Sequence, residues 1–550
     1  KAGGNFVINN ASIVDNSGKI IAKSNVLVNS KKIYQNAAYS DTGIYATNIG
    51  LVAKEDIENI GGNIVADNNV SIYSENGDIK NSKKLSIHEN DYHNVYTDVR
   101  GSGDIVGNKI SIVANNVENL GADIKAQDKI QIGARKNLVI GNLEAVDKKV
   151  KNGGKDFVLD EKKTNVGSNL KAKDISLTSL GNIGITGSNI VADNKMNIGA
   201  KGDIAIVAGK DSTLHEEKHS KSKGFGRSES STDISYATHN VASNIIGDKV
   251  NIASEKNISL LGSNVQANTE GQIKADGNIT QAGVKDTNYS YHKKTKTGFM
   301  GLTSKSVTDE NYAEKAILSA TLAGNDGLTY DSKNNLMLSG VKVVSSGNIN
   351  LKGKDVEINP LETKSYNKHE EVKKGFSGSF SPKGISVSYG KDKLESKTDI
   401  LNQTASQIVS NKDINIEAMD KVKAKSVDIY AKNDVNISGD NGVEISTANN
   451  SYDNTTKQSS SRIGASVGIN SAIVNTVENV KDIKNLTDFS GNSYDILNNA
   501  SKVVGAIKDG AKATIAVADT NYNGATDAGY NNLKIMNDVF KANISYNKSK

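Results

Sequence analysis

Between Asp174 and Gly209 the chain reads DISLTSLGNIGITGSNIVADNKMNIGAKGDIAIVAG, where apolar residues two apart recur as Ile175/Leu177, Ile183/Ile185, Ile190/Ala192, Met196/Ile198 and Ile204/Ile206. Ile175 to Met196 is 21 residues, and Ile183 to Ile204 is again 21. The same interval returns from Ile258 to Ile279, Ile414 to Val435 and Val422 to Val443. Alternation with a period of two marks strands with one buried face, and the intervening Gly, Asn and Asp supply tight corners. Three short strands and three corners in about 21 residues make one coil of a solenoid.

A single coil of this kind does not fold alone. Around six inward side chains, each worth roughly 1.5 to 3 kcal/mol on burial, do not offset roughly 1 to 2 kcal/mol of backbone entropy at each of about 21 residues. Stability has to come from stacking, with each layer closing the hydrogen bonds of its neighbour. The expected fold is therefore an all-β, right-handed parallel β-helix. About 300 residues follow the pattern, which gives roughly 15 coils and a rod of ~70 Å at the spacing of paired strands. Composition agrees: apolar residues are 36% and aromatics 5%, with no Trp, too few large side chains for a compact globular core.

Longer echoes reinforce the repeat. LVAKEDIENIGGNIVADNNVSI (51–72) returns as IVANNVENLGADIKAQDKIQI (112–132), and TGSNIVAD (186–193) as LGSNVQAN (261–268). The Asn of this Gly-Ser-Asn corner, Asn189 and Asn264, reads as a residue tolerating a left-handed turn, with an internal amide ladder as the alternative.

Polar inserts interrupt the coils. The expected organisation is β-helix over 1–210, a hairpin insert at 211–247, coils at 248–283, an insert at 284–333, a coil at 334–359, a hairpin insert at 360–411 and coils at 412–445. A hairpin strand at 446–470, a helical insert at 471–541 and the start of a further strand at 542–550 complete it. HSKSKGFGRSES, HKKTKTGFMGLTSKS and HEEVKKGFSGSFSPKG share a Lys-rich approach to Gly-Phe and then alternate small with apolar residues, as strands of hairpins forming a second sheet on one flank do. Disordered loops are the alternative reading. In the last insert Ile473, Val477, Val480 and Ile483 follow helical spacing, as do Leu497, Ala500, Val504, Ile507, Ala511 and Ile515.

His215-Glu216-Glu217-Lys218-His219 fits the H-E-x-x-H template of zinc metalloproteases. That chemistry requires both histidines on one turn of a buried helix and a third ligand from elsewhere. Here KSKGFG follows directly, and the positions three and six residues past His219 are Ser222 and Phe225, so no third ligand is supplied. The second and third inserts lack the second histidine. The motif reads as a solvated hairpin arm, and the expectation is no catalytic, cofactor-binding or metal-binding residue and no cofactor. A zinc protease through His215, Glu216 and His219, or a β-helical polysaccharide-degrading enzyme, stands as the alternative. The latter needs carboxylates and Arg along one groove, whereas Asp174, Asp203, Asp413 and Asp434 punctuate corners and only Arg100, Arg135, Arg227 and Arg462 are present.

Interspersed charges summing to +5, with few Arg, point away from nucleic-acid binding. No apolar run reaches the 18 or so residues of a membrane span. KAGGNFVINN reads as a turn and strand rather than an export signal, so the chain is expected to be a segment of something longer. The absence of Cys is ordinary for a cytosolic protein and equally suits a polypeptide that crosses an oxidising compartment unfolded, and composition does not choose between the two.

The pattern D-I-x-L-x-x-x-G-N-I-x-I-x-G-S-N-I-x-A-D at 174–193, leading to D-I-x-I-x-A-G-K-D-S and a Lys/Ser-rich Gly-Phe-Gly arm, resembles the haemagglutinin repeats of filamentous haemagglutinin-like proteins. These include the effectors of contact-dependent growth inhibition. The resemblance is strongest over about 170–470. It implies export by two-partner secretion through an outer-membrane transporter and display on the surface of a Gram-negative bacterium. It also implies contact with a neighbouring bacterial or host cell, as an adhesin or as the carrier of a C-terminal toxin. Toxins of the family follow a V-E-N-N junction; Val477-Glu478-Asn479-Val480 lacks the second Asn and is not read as one.

Overall fold

The computed structural model describes residues 1–37, 41–381, 384–468 and 541–549. The helical spacing expected within 471–541 falls almost wholly outside them. Among the described residues the chain is a parallel β-helix with an antiparallel sheet running along one corner.

One coil shows the plan. Asn189–Ala192 forms a first face, Lys195–Ala200 a second and Ile204–Val207 a third, and each strand pairs in parallel with its equivalents one coil before and after. On the third face fourteen positions stack in register from Val14 through Ile33, Ile57 and Ile79 to Val443. The described stack therefore has fourteen coils, about 65 Å at the usual strand spacing. All five 21-residue pairs read from the sequence are direct partners: Ile175 with Met196, Ile183 with Ile204, Ile258 with Ile279, Ile414 with Val435 and Val422 with Val443. Inward columns of Ile, Leu and Val form one continuous core, in which Leu177, Ile206 and Leu260 are fully buried.

Five hairpins leave the solenoid among the described residues, always at the corner between the third face and the next first face, and two further paired strands extend the sheet they form. The strands are β1 (Lys84–Glu89), β2 (Val95–Gly101), β3 (Leu143–Asn152), β4 (Asp156–Val166), β5 (Gly209–Ser222), β6 (Ser228–Val241), β7 (Val284–Thr297), β8 (Ser304–Ile317), β9 (Leu361–Ser381), β10 (Gly384–Thr404), β11 (Ser451–Gly468) and β12 (Lys541–Ser549). From the coil carrying Ile57 onward, coils with a hairpin alternate strictly with coils without one. Geometry explains the alternation. Each hairpin adds two strands to the flanking sheet and so advances it by about 9.6 Å, the rise of two coils. One hairpin per two coils keeps the flanking sheet and the solenoid in step.

From the coil carrying Ile57 onward, hairpin-free corners are closed by a residue in the left-handed region: Gly61, Gly121, Gly187, Gly262, Gly340 and, as the one non-glycine, Ser426. The sequence echoes at 51–72 and 112–132, and at 186–193 and 261–268, each cross such a corner. Gly187 and Gly262, not Asn189 and Asn264, therefore take the positive φ. The Asn side chains form a ladder that faces outward: Asn189 Nδ2 donates to Asn169 (3.0 Å), Asn244 to Asn189 (2.7 Å) and Asn264 to Asn244 (2.9 Å). An internal ladder exists elsewhere, where Asn59 donates to Asn81 (2.7 Å) and Asn81 to Asn119 (2.6 Å).

Some expected boundaries differ. The stretch expected as coils throughout 1–210 contains two hairpins, β1/β2 and β3/β4, whose polar–apolar alternation is the same as that of a coil. The insert expected at 284–333 ends at Ile317, because Ser319–Ala323 and Gly327–Ser332 are coil strands. Their inward positions hold Ser319, Thr321 and Tyr330, which with Gln281 form a buried hydrogen-bonded cluster instead of an aliphatic layer. The apolar signal is therefore absent there. Similarly Asn244–Ser254 and Ser406–Ser410 rejoin the coils. Lys541–Ser549 pairs with β11 in the flanking sheet.

Candidate functional site on the flanking sheet

The flanking sheet is a single layer. Coil strands alternate buried with exposed residues, but along β7 and β8 neither face is consistently buried. Such a sheet depends on cross-strand pairs for its stability. One face carries the row Tyr236, Tyr289, Tyr312 and Tyr366 on four successive strands, the last two rings stacked at 5.6 Å. The other face carries the row Glu217, Asp233, His292, Asp309 and His369.

The five-residue motif lies in β5, within that second face. Period-two geometry puts His215, Glu217 and His219 on one side of the strand and Glu216 on the other, where it contacts Lys218. A zinc protease site is therefore not formed. Four residues of extended strand separate the two histidines by about 13 Å, whereas a shared zinc ion with bonds of about 2.0–2.1 Å needs them one helical turn apart. The residue required as general base points away. Among the described residues no group of three or more His, Cys, Asp or Glu is placed to hold a metal ion.

What the strand does build is an alternating chain of acids and imidazoles. His215 Nδ1 donates to Asp160 (2.7 Å) and His219 Nδ1 to Asp156 (2.9 Å), both acceptors on β4. Glu217 sits between the histidines, 2.5 Å from His219 Nε2 and 3.8 Å from His215 Nε2. The hydrogen bond to Asp160 holds the His215 pKa above its ordinary value, and those to Asp156 and then Glu217 do the same for His219. The acceptors were legible in principle, because Asp156 and Asp160 have the same four-residue spacing as the histidines they face.

The same arrangement recurs across hairpin boundaries. His239 on β6 bonds Asp286 on β7 (2.9 Å), His292 on β7 bonds Asp233 on β6, and His369 on β9 bonds Asp309 on β8 (2.6 Å). Each of these five pairs joins two different hairpins. Lysines add to some of these boundaries: Lys294 and Lys296 on β7 lie 3.1 and 3.8 Å from Glu229 on β6, and Lys223 with Lys294 holds that carboxyl down at about 2. At the β4/β5 boundary the two histidine pairs are the only ion pairs among the described residues. Near the tips a shallow depression of about 480 Å³ is floored by Gly375 and Gly390 and edged by Lys305, Lys373 and Arg462. Arg462 there is already committed to Asp392 (2.6 Å) and Ser377 (2.7 Å).

The corner carboxylates serve the backbone. Asp203 accepts from the Asn257 amide (3.1 Å), Asp174 from Lys195 (3.1 Å) and Asp413 from Asp434 (3.2 Å), each one coil on. No described helix is long and apolar enough to cross a membrane. The Val477–Val480 segment lies outside the described residues.

The family described as hemagglutinin repeat matches residues 151–228, 223–375 and 385–536. Two curated relatives are similar. "tRNA nuclease CdiA-2" of Burkholderia pseudomallei is 21% identical over 506 residues, covering 78% of this chain and 16% of that protein. "tRNA nuclease CdiA" of Escherichia coli is 25% identical over 191 residues, covering 32% of this chain and 6% of that protein. The chain thus spans a small part of either relative. No solved structure matches it. Stacked coils, hairpins in constant phase and a family match over most of the sequence agree: the chain belongs to the hemagglutinin-repeat family, as a filamentous haemagglutinin-like segment.

Proposed function

We propose that this segment is a rod in a large secreted protein of a Gram-negative cell surface, exported by two-partner secretion, and that it carries a contact-making or toxin-bearing part towards a neighbouring cell. The observation that supports the reading is the unbroken third-face register of fourteen coils. A stack held by main-chain ladders along its whole length resists bending and transmits position, as a spacer must. The nuclease activity in the relatives' names belongs, on this reading, to parts of those proteins outside the coils. Its partners are an outer-membrane transporter and the surface of the neighbouring cell.

The test has two arms. Excising the coils in frame from the producing cell's protein is expected to abolish cell–cell contact and to remove the segment from protease-accessible surface material. The purified chain is expected to leave acidic polysaccharides and casein intact. Measurable turnover of either substrate, or contact that survives the excision, overturns the reading.

A further inference from the structure

Three aliphatic columns of the core are interrupted at one level. Gln281 stands between Leu260 and Leu338 on the third face, Thr321 between Val265 and Val343 on the first, and Tyr330 between Ile273 and Leu351 on the second. With Ser319 these side chains are fully buried, and aliphatic residues at the same positions would leave no polar group to satisfy. Stacking alone therefore does not call for them.

Their arrangement around the Gln281 carboxamide is that of an acyl-transfer centre. Thr321 Oγ1 lies 3.1 Å from Nε2 and 3.2 Å from Oε1. An oxygen held equally close to both ends of a carboxamide is about 3–3.5 Å from the carbon between them, the separation of a near-attack arrangement. Tyr330 donates to Oε1 (2.5 Å), the atom on which negative charge develops as a nucleophile adds. Burial pushes the phenol pKa upward, so the group stays protonated and remains a donor. Ser319 has another part: its Oγ accepts from Nε2 (3.1 Å) and donates to the Ser263 carbonyl (2.7 Å), so it orients the amide and is not placed to attack. None of the four residues has solvent exposure, which shields an ester formed here from hydrolysis.

We propose that Thr321 and Gln281 form an intramolecular ester cross-link. The Thr321 oxygen adds to Cδ of Gln281 and its proton passes to Nε2; the Cδ–Nε2 bond breaks, and the nitrogen leaves with the bonding pair as ammonia. Hydroxyl and carboxamide thus become one ester and one ammonia, with no oxidant and no co-reactant. The link joins residues 40 positions apart and encloses the whole β7/β8 hairpin, so that the third-face strand of one coil is tied to the first-face strand of the next. In a chain without cysteine it supplies the loop-closing constraint that a disulfide otherwise gives. The bond does not depend on the proposed cell-contact role.

Intact-mass measurement of the purified full chain tests the link, the expected mass being below that of the sequence by one ammonia, about 17 Da. Tryptic digestion of the unfolded chain is expected to yield one species joining 275–285 to 316–333, which neutral hydroxylamine separates as it cleaves esters. Thr321→Val and Gln281→Leu, which restore the residue types above and below, should each abolish both signals, while Ser319→Ala keeps them. Tyr330→Phe removes the donor to Oε1 and is expected to slow formation by about a hundredfold or more, leaving freshly made protein unlinked. A chain at full sequence mass, a joined species that resists hydroxylamine, or a mass loss that persists in Thr321→Val overturns the proposal. Fully linked, freshly made Tyr330→Phe would refute the role given to the tyrosine. Should Gln281→Leu fail to fold, as judged by circular dichroism, Thr321→Val decides alone, and an unlinked parent refutes the cross-link whatever the variants do.

Discussion

His215 Nδ1 lies 2.7 Å from Asp160 Oδ1 although the two residues belong to different hairpins, 55 positions apart in the chain. With the parallel pair His219 and Asp156, it makes the β4/β5 boundary depend on imidazole charge. Folding raises both imidazole pKa values above their ordinary 6.5, so the stabilisation is complete below about 6.5 and is lost as pH rises through the folded-state values. Above that point Asp156, Glu217 and Asp160 remain as an unbalanced row of carboxylates. Amide exchange in β4 and β5, corrected for intrinsic rate, is expected to accelerate severalfold between pH 5.5 and 8.5, with the coil strands unaffected. In His215→Gln/His219→Gln the acceleration should vanish; a parent-like profile in that variant would refute the assignment.

Matching of hairpin and coil rise predicts the outcome of removing one hairpin. Excision of Gly209–Ala242, joining Ala208 to Ser243, together with Ala208→Gly, leaves a corner of the same length and backbone as the hairpin-free one at Thr186–Asn189. The stack is expected to stay intact, while β4 and β7 come to lie about 14 Å apart, too far to pair. Limited proteolysis should then cut the second and fourth hairpins before any coil strand. Resistance equal to that of the parent would show that the flanking sheet re-closes and that step-matching is not required.

At Gly187 the backbone has φ of 51° and a Cβ would lie 2.4 Å from Asn165 Oδ1. Gly187→Val combines strain at a positive φ with that clash and is expected to cost about 1–3 kcal/mol. The same change at Gly184, where a Cβ meets nothing within 4 Å, is the control. Urea unfolding of the two variants would settle the matter, equal midpoints being the adverse result.

Leu260 is fully buried on the third face. Leu260→Ala is expected to destabilise by about 2–5 kcal/mol, through lost burial and the cavity left behind. The polar layer behaves differently. Tyr330 donates its single hydroxyl proton to Gln281 Oε1 (2.5 Å), with Thr321 Oγ1 2.7 Å from the same hydroxyl, and burial pushes its pKa strongly upward. Tyr330→Phe removes a donor from this buried layer and is expected to cost about 1–3 kcal/mol. A calorimetric melt as stable as the parent would show that the layer rearranges.

The coils were legible because their side-chain alternation and their stacking period reside in the same residues, so Ile183 and Ile204 announce both a strand and its partner. The flanking sheet was half legible. The Gly-Phe inserts pointed to hairpins, but β1/β2 and β3/β4 have the alternation of a coil and no distinctive tip. Nothing local distinguishes a strand that turns inward from one that leaves the stack. The acid–imidazole chain was hidden for another reason. His215 and His219 could be read as lying on a hairpin arm, but their partners Asp160 and Asp156 are set by which hairpin lies alongside.

Because the hairpin sheet and the solenoid share one pitch only every second turn, the molecule has a natural quantum of growth. A gene duplication or deletion that spans two turns with their hairpin lengthens or shortens the rod by about 9.6 Å and leaves every edge satisfied. An event spanning a single turn forces a gap or a pile-up of strands beside it. The length of the rod is therefore open to evolutionary adjustment in discrete steps, and related chains should differ in length by whole multiples of that two-turn unit.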